Sequence, residues 1–347
     1  MYSESDLQSA VAAGALSHDA AEALRSHVSG QRAGSSADEE HFRLITGFND
    51  IFVTIAAALL IMAVGSIGQA IAPGVGGALV ALAAWGMAEY FTRQRHMALP
   101  SIVLLLAFAA GLAAIPIGIL DAYDPNMSVT QTTLCAAGVA AFVAAGAWLH
   151  WRRFMVPITV AAGAAAASAT VIALIATAFI KPEAQDAERI LLPLVFIAGL
   201  AVFTVAMRWD MTDRARETRR SDVAFWLHLL AAPMIAHPLF NWIGVNHGEN
   251  IAPAAAFGVI AVYVLMGLVA LAVDRRALLV SALAYVLIAM TFLFRQFGVV
   301  ELNVAITGLV IGSALLSLSA FWTPIRNAVV GQLPDNVRTR LPVAAMG

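Results

Sequence analysis

The chain has 347 residues, of which 61% are hydrophobic and only 12% charged, with a net charge of −2. A mean hydropathy of +0.82 is too high for one soluble core to hide behind so little charge, so lipid is the solvent for most of the chain. This excludes a soluble enzyme, a disordered protein and, for want of a basic field, a nucleic-acid binder. The single cysteine, Cys135, excludes an intramolecular disulfide and a multi-cysteine zinc site.

Residues 1–46 read as a cytoplasmic helical hairpin and linker. The first helix is expected from about Ser5 to Ala13, with Ser3 or Ser5 as N-cap and Gly14 as its stop. The second is expected from Ser17 to about Val28, ended by Ser29 and Gly30. Leu7, Val11 and Leu16 face Ala20, Leu24 and Val28 across the turn, a core too small to be more than marginal alone. Residues 31–38 are a linker. Met1 to Asp6 carry two acids and no basic residue, so no cleaved signal peptide is expected and the first span stays as an anchor. No C-terminal lipidation motif is present.

An all-α, polytopic bundle of ten transmembrane helices is expected over residues 47–322. The spans are 51–71, 75–92, 99–120, 130–149, 156–180, 190–207, 223–243, 251–273, 277–294 and 301–322. They are too long for barrel strands and lack their alternation. Residues 323–347 are the tail. Of the 20 basic residues, only Lys181, Arg189 and Arg295 fall in one set of connections, and the other 17 fall in the opposite set or the termini. The positive-inside rule then puts both termini in the cytoplasm, which needs an even number of spans. Arginines precede each outgoing span, as in Arg95-His96-Met97-Ala98-Leu99-Pro100 and Arg152-Arg153-Phe154-Met155-Val156-Pro157. Either a helix doublet repeated five times or the positive-inside rule alone accounts for this.

Charge is nearly absent inside the spans. Glu89 is the exception, and Arg93 lies four residues on, so a paired glutamate at the cytoplasmic end and a proton-coupling carboxylate are the two readings. The seventh span contains Pro233 and Pro238, which should kink or break it. His237 and Asn241 share a face there, and His228 points the opposite way. Together with His247, Glu249 and Glu301 on the extracytoplasmic side, His237 and Asn241 form the expected ligand-binding set, a cavity at a broken helix being how many transporters hold solutes. The spacing of His237, His247 and Glu249 matches no metal motif, and neither a metal nor a cofactor is expected.

The remaining features read as structural. Ala162 to Thr170 is a run of small residues, and Gly308 and Gly312 form GxxxG; packing within the fold is preferred to a partner for both. Trp85, Trp148, Trp151, Trp209, Trp242 and Trp322 read as an aromatic belt. Residues 208–222 read as an amphipathic surface helix with Asp210 paired to Arg214. His18, His27, His41, His96 and His150 read as solvated. No Walker loop, Rossmann glycine pattern, nucleophile elbow or haem motif is present.

The stretches from Asp6-Leu7 through Ala13-Gly14-Ala15-Leu16-Ser17 to Ala20-Ala21-Glu22-Ala23-Leu24, and from Phe48-Asn49-Asp50 to Met62, followed by an apolar body with arginine-rich turns, resemble a family of uncharacterised bacterial polytopic membrane proteins. The resemblance implies a hairpin ahead of many helices and carries over no catalytic residue. By span count and orientation alone, the layout is also similar to drug/metabolite-type exporters. The leading expectation is an inner-membrane protein of transporter-like build that binds or moves a small solute. The alternative is a non-catalytic membrane scaffold or accessory subunit that meets a protein partner through the hairpin. No enzymatic activity is expected, because no paired carboxylates or nucleophile–base set lies within the bilayer.

Overall fold

A computed structural model describes residues 4–24, 26, 48–123, 126–179, 187–214, 216, 218–244, 253–296 and 303–342 of the chain. They fall into two units, Met1–Phe42 with Val343–Gly347, and Arg43–Pro342. In the first unit, α1 (Glu4–Ala12) is followed by α2 (18–24). Gly14 closes α1 in left-handed backbone at φ 69°, a conformation that costs glycine little. Ser17 caps α2, its hydroxyl accepting from the Ala20 N–H at 3.2 Å. Leu7 and Ala21 are the buried residues of this unit. The expected end of α2 at Val28 to Gly30 lies outside the described residues.

The second unit is built from α3 (Phe48–Ile71), α4 (Val75–Phe91), α5 (Ala98–Tyr123), α6 (Val129–Phe154), α7 (Ile158–Phe179), α8 (Ala187–Thr212), α9 (Arg219–Ile243), α10 (Pro253–Val273), α11 (Ala277–Gln296), α12 (Asn303–Ala320), α13 (Trp322–Gly331) and α14 (Asp335–Arg338). No strand occurs among the described residues. Helix satisfies the backbone within each segment, as lipid requires. Among the described residues, seven helices are long and apolar enough to cross a membrane, and α12 with α13, bent by 75°, makes an eighth if counted as one span. Helix α4 and the 278–291 part of α11 are apolar but shorter. The chain is a multi-pass membrane protein. Many large apolar side chains, among them Phe52, Leu59, Leu82 and Leu316, face outward, and small residues such as Ala81, Ala84, Ala206 and Ala231 lie within beside Leu104, Leu227 and Phe240.

Packing follows the arginine-bearing turns. The most extensive contacts lie within α4–α5, α6–α7 and α8–α9, each a hairpin closed at such a turn. The packing doublet is therefore offset by one helix from the outgoing-and-returning pair read in the sequence. Each turn, including that between α10 and α11, contains one non-glycine residue in left-handed backbone: His96, Met155, Arg216 and Asp274, with φ of 53°, 51°, 57° and 59°. Helix α9 is the centre of the unit, half buried over its apolar window against 11–33% for the other long spans.

The closest backbone approaches are at glycines on α4. A Cβ on Gly77 would stand 2.7 Å from the Gly111 carbonyl oxygen of α5, and one on Gly76 2.7 Å from the Gly65 carbonyl oxygen of α3. The GxxxG of α12 is not packed as expected among the described residues, none of which has an atom within 4 Å of a Cβ on Gly308 or Gly312. Gly77→Ala is expected to lower the apparent unfolding temperature in detergent, at a cost of about 1–3 kcal/mol from overpacking, and Gly308→Ala to leave it unchanged.

Candidate functional site

Apart from Asp50 of α3, the buried charge among the described residues gathers around the α8–α9 and α10–α11 turns. Helix α8 carries a buried stripe of Gly199, Val202, Ala206 and Asp210, at helical spacing. Its last member is a carboxylate, and it faces α9. The chain turns there because the Asp213 carboxylate accepts from the Thr218 N–H at 3.0 Å and from its hydroxyl at 2.7 Å. Thr218 in turn caps α9, its hydroxyl oxygen accepting from the Arg220 N–H at 3.3 Å. The hairpin brings His228 of α9 to Asp210, with Nε2 2.8 Å from Oδ2. Both side chains are completely buried.

The partner cation comes from the α10–α11 turn. The Asp274 N–H bonds the Leu271 carbonyl at 3.2 Å and the Arg275 N–H bonds the Ala270 carbonyl at 2.9 Å, the two bonds of a Schellman motif. The left-handed position usually taken by glycine is Asp274, one of the few side chains that tolerate it. This geometry sends two neighbouring charges apart. Arg275 turns inward, with Nη2 2.5 Å from Asp210 Oδ1 and 3.1 Å from the Ser221 carbonyl. Asp274 accepts from Arg216 Nη1 at 2.8 Å and from the Trp322 indole N–H at 2.7 Å, and Arg326 Nε lies 3.5 Å away. Arg216 also donates to the carbonyls of Val273 and Asp274. Burial pushes the Arg216 guanidinium below its ordinary pKa; the nearby Arg275 charge adds to this, and Asp274 and Asp210 oppose it.

An ionised Asp210 only accepts hydrogen bonds, so His228 donates to it from Nε2. Its Nδ1 is buried and without a partner among the described residues. The Phe203 ring covers it edge-on, with centroids 5.1 Å apart. A second buried imidazole, His150 of α6, sits across the next hairpin, its Nδ1 3.2 Å from the hydroxyl of Thr159 in α7. Trp85, Phe108 and Phe154 surround it, and Nε2 has no partner among the described residues.

Several expectations are corrected by this arrangement. Residues 208–222 are not one surface helix: α8 ends at Thr212, a turn follows and α9 begins at Arg219. Asp210 pairs with His228 and Arg275 rather than Arg214, which donates to the Leu341 carbonyl at 2.8 Å. His150 is buried rather than solvated, and Trp322 is buried against Asp274 rather than lying in a belt. Helix α9 runs unbroken through Pro233 and Pro238, held between its neighbours, with Gly199 of α8 close against the Met234 backbone. Glu89 pairs with Arg93 at 3.3 Å as read, but Arg153 of α6 grips it more closely, at 2.7 and 2.9 Å.

Of the expected ligand set, His237 is exposed and shares a hydrogen bond of 2.6 Å between Nδ1 and the Tyr285 hydroxyl, tying α9 to α11. Asn241 is half-buried, one turn further along. His247, Glu249 and Glu301 lie outside the described residues. Among the described residues, no three His, Cys, Asp or Glu side chains are grouped to hold a metal. The signal for the ionic set was present in the sequence as the i, i+4 continuation of the α8 stripe into Asp210. Its partners lie 18 and 65 positions away, and only the fold brings them together.

No protein-family profile, characterised protein or solved structure matches the chain.

Replacing Asp274 with Asn keeps a side chain that tolerates left-handed backbone but leaves Arg216 without its counter-charge. A loss of about 2–4 kcal/mol is expected, read as a lower apparent unfolding temperature in detergent. Arg276→Gln next to it removes only a guanidinium stacked 4.9 Å over Trp322, and should cost under about 1 kcal/mol.

Proposed function

We propose that this is a bacterial inner-membrane protein of transporter-like build, with ten spans and both termini in the cytoplasm, that binds or moves a small solute. The observation that carries this reading is the buried Asp210–His228–Arg275 set, where α8, the central helix α9 and the α10–α11 turn meet. Charged side chains buried in a protein are costly, and buried, perturbed ionisable groups are candidates for functional sites. On this reading His228, whose buried Nδ1 has no partner among the described residues, exchanges a proton beside Asp210. The set ties the arginine-bearing ends of α8 and α9 to the α10–α11 turn, which is where a carrier needs a closure that can open. Glu89, already held by two arginines, is the paired glutamate of the two readings. The solute-binding residues on this reading are His237 and Asn241 near the opposite end of α9, with His247, Glu249 and Glu301 beyond them. The resemblance to bacterial polytopic membrane proteins with an N-terminal hairpin agrees with this layout.

One observation favours the scaffold alternative. Gly308 and Gly312 present an open small-residue face on α12, suited to a partner helix.

A cysteine at Asn241, in a background with Cys135→Ala, separates the two. On the carrier reading it reacts with a membrane-impermeant thiol reagent added from outside, and adding Asp210→Asn changes that rate at least about threefold by shifting the balance of conformations. A cysteine that stays unlabelled, or a rate indifferent to Asp210→Asn, would move the reading to the scaffold.

A further inference from the structure

The hairpin α6–α7 and the neighbouring α5 enclose a cleft of about 840 Å³, within the range of a small-molecule site. Its walls are apolar and small. Ala162, Ala166 and Ala169 of α7 face Ala136 and Ala140 of α6, so helices that pack closely still leave room between them. Polarity is confined to one end, where α5 finishes and α6 begins, away from the arginine-bearing turns. That end carries Asp121, Thr132 and Cys135.

These polar groups select a head group. Asp121 is the one charge among the lining residues, and it is negative. The Thr132 hydroxyl donates backward to the Ser128 carbonyl at 3.1 Å, so its oxygen faces a ligand as an acceptor. Two acceptors and, among the described lining residues, no basic side chain suit a cation or an N–H donor and repel a phosphate or carboxylate. Along α5, from Leu106 to Asp121, the cleft extends about 22 Å at 1.5 Å per residue, roughly the reach of a 16-carbon chain.

We infer that this cleft binds a single-chain amphiphile with an ammonium head, its chain along the alanine walls and its charge at Asp121. The site stands whether or not the protein moves a solute, and it uses none of the residues assigned to the carrier.

Cys135, the only cysteine in the chain, reports on its occupancy. The full-length protein in phosphatidylcholine nanodiscs is alkylated with N-ethylmaleimide in the presence of hexadecyltrimethylammonium, hexadecanoate or the short hexyltrimethylammonium. The hexadecyl cation is expected to slow alkylation roughly fivefold, as at about 80% occupancy, and the other two to leave it near the free rate. Asp121→Asn should abolish the difference between the long cation and the long anion, and Asp121→Glu should retain it. Ala140→Phe, which fills the cleft, should remove the additional protection. Both aspartate variants replace an exposed side chain, so the comparison does not depend on a refolded core. Equal protection by cation and anion, absence of protection in the native chain, or full preference surviving in Asp121→Asn would each overturn the inference.

Discussion

A carboxylate cannot stay ionised inside an apolar body unless its desolvation is offset, a penalty of several kcal/mol per ion. Asp210 imposes that condition on the second half of this protein. His228 and Arg275 meet it, and each has to be delivered by a different part of the chain. The α8–α9 turn, set by Asp213 and Thr218, fixes the first partner. The left-handed Asp274 of the α10–α11 turn fixes the second, and its own carboxylate then engages Arg216 and Trp322. Through Trp322 and Arg326, whose Nη2 donates to the Pro342 carbonyl, the stretch after the last long helix is drawn onto the same end. Two helical turns and α13 are thus tied together by charges that would each be costly alone.

The first half uses less charge and closer backbones. Glycines at 76, 77 and 111 let α3, α4 and α5 touch main chain to main chain, where dispersion and weak carbonyl contacts hold helices in lipid. Its one buried imidazole is boxed by aromatic rings. The two halves therefore differ in what holds them, small-residue packing in one and a closed ionic set in the other. The cleft along the alanine face of α7 lies beside the first kind of packing, and the buried imidazole of His228 belongs to the second.

Much of this was legible in the sequence. Hydropathy gave the helices and their approximate limits, Gly14 and Ser17 gave the turn of the head, and the Glu89–Arg93 pair followed from spacing. The ionic set was missed for a physical reason. Residues 208–222 mix both signs of charge, and such a run reads as a solvated face unless the apolar stripe of the preceding helix is continued into it. Val202, Ala206 and Asp210 form that continuation, but a carboxylate at its end looks like a surface residue until His228 and Arg275 are seen beside it. The prolines of α9 do not break it, because a helix surrounded by neighbours continues through positions that would break it alone. Gly308 and Gly312 were assigned to packing from their motif, whereas the closest approaches were made by glycines outside any GxxxG motif of α12.

The most direct measurement is a double-mutant cycle on Asp210→Asn and Arg275→Gln, with the unfolding free energy of each variant determined in the same detergent. The single variants should each be strongly destabilised, and the double variant by clearly less than their sum, with a coupling of at least about 1.5 kcal/mol. Additivity to within about 0.5 kcal/mol would contradict the interaction on which the arginine-bearing end depends.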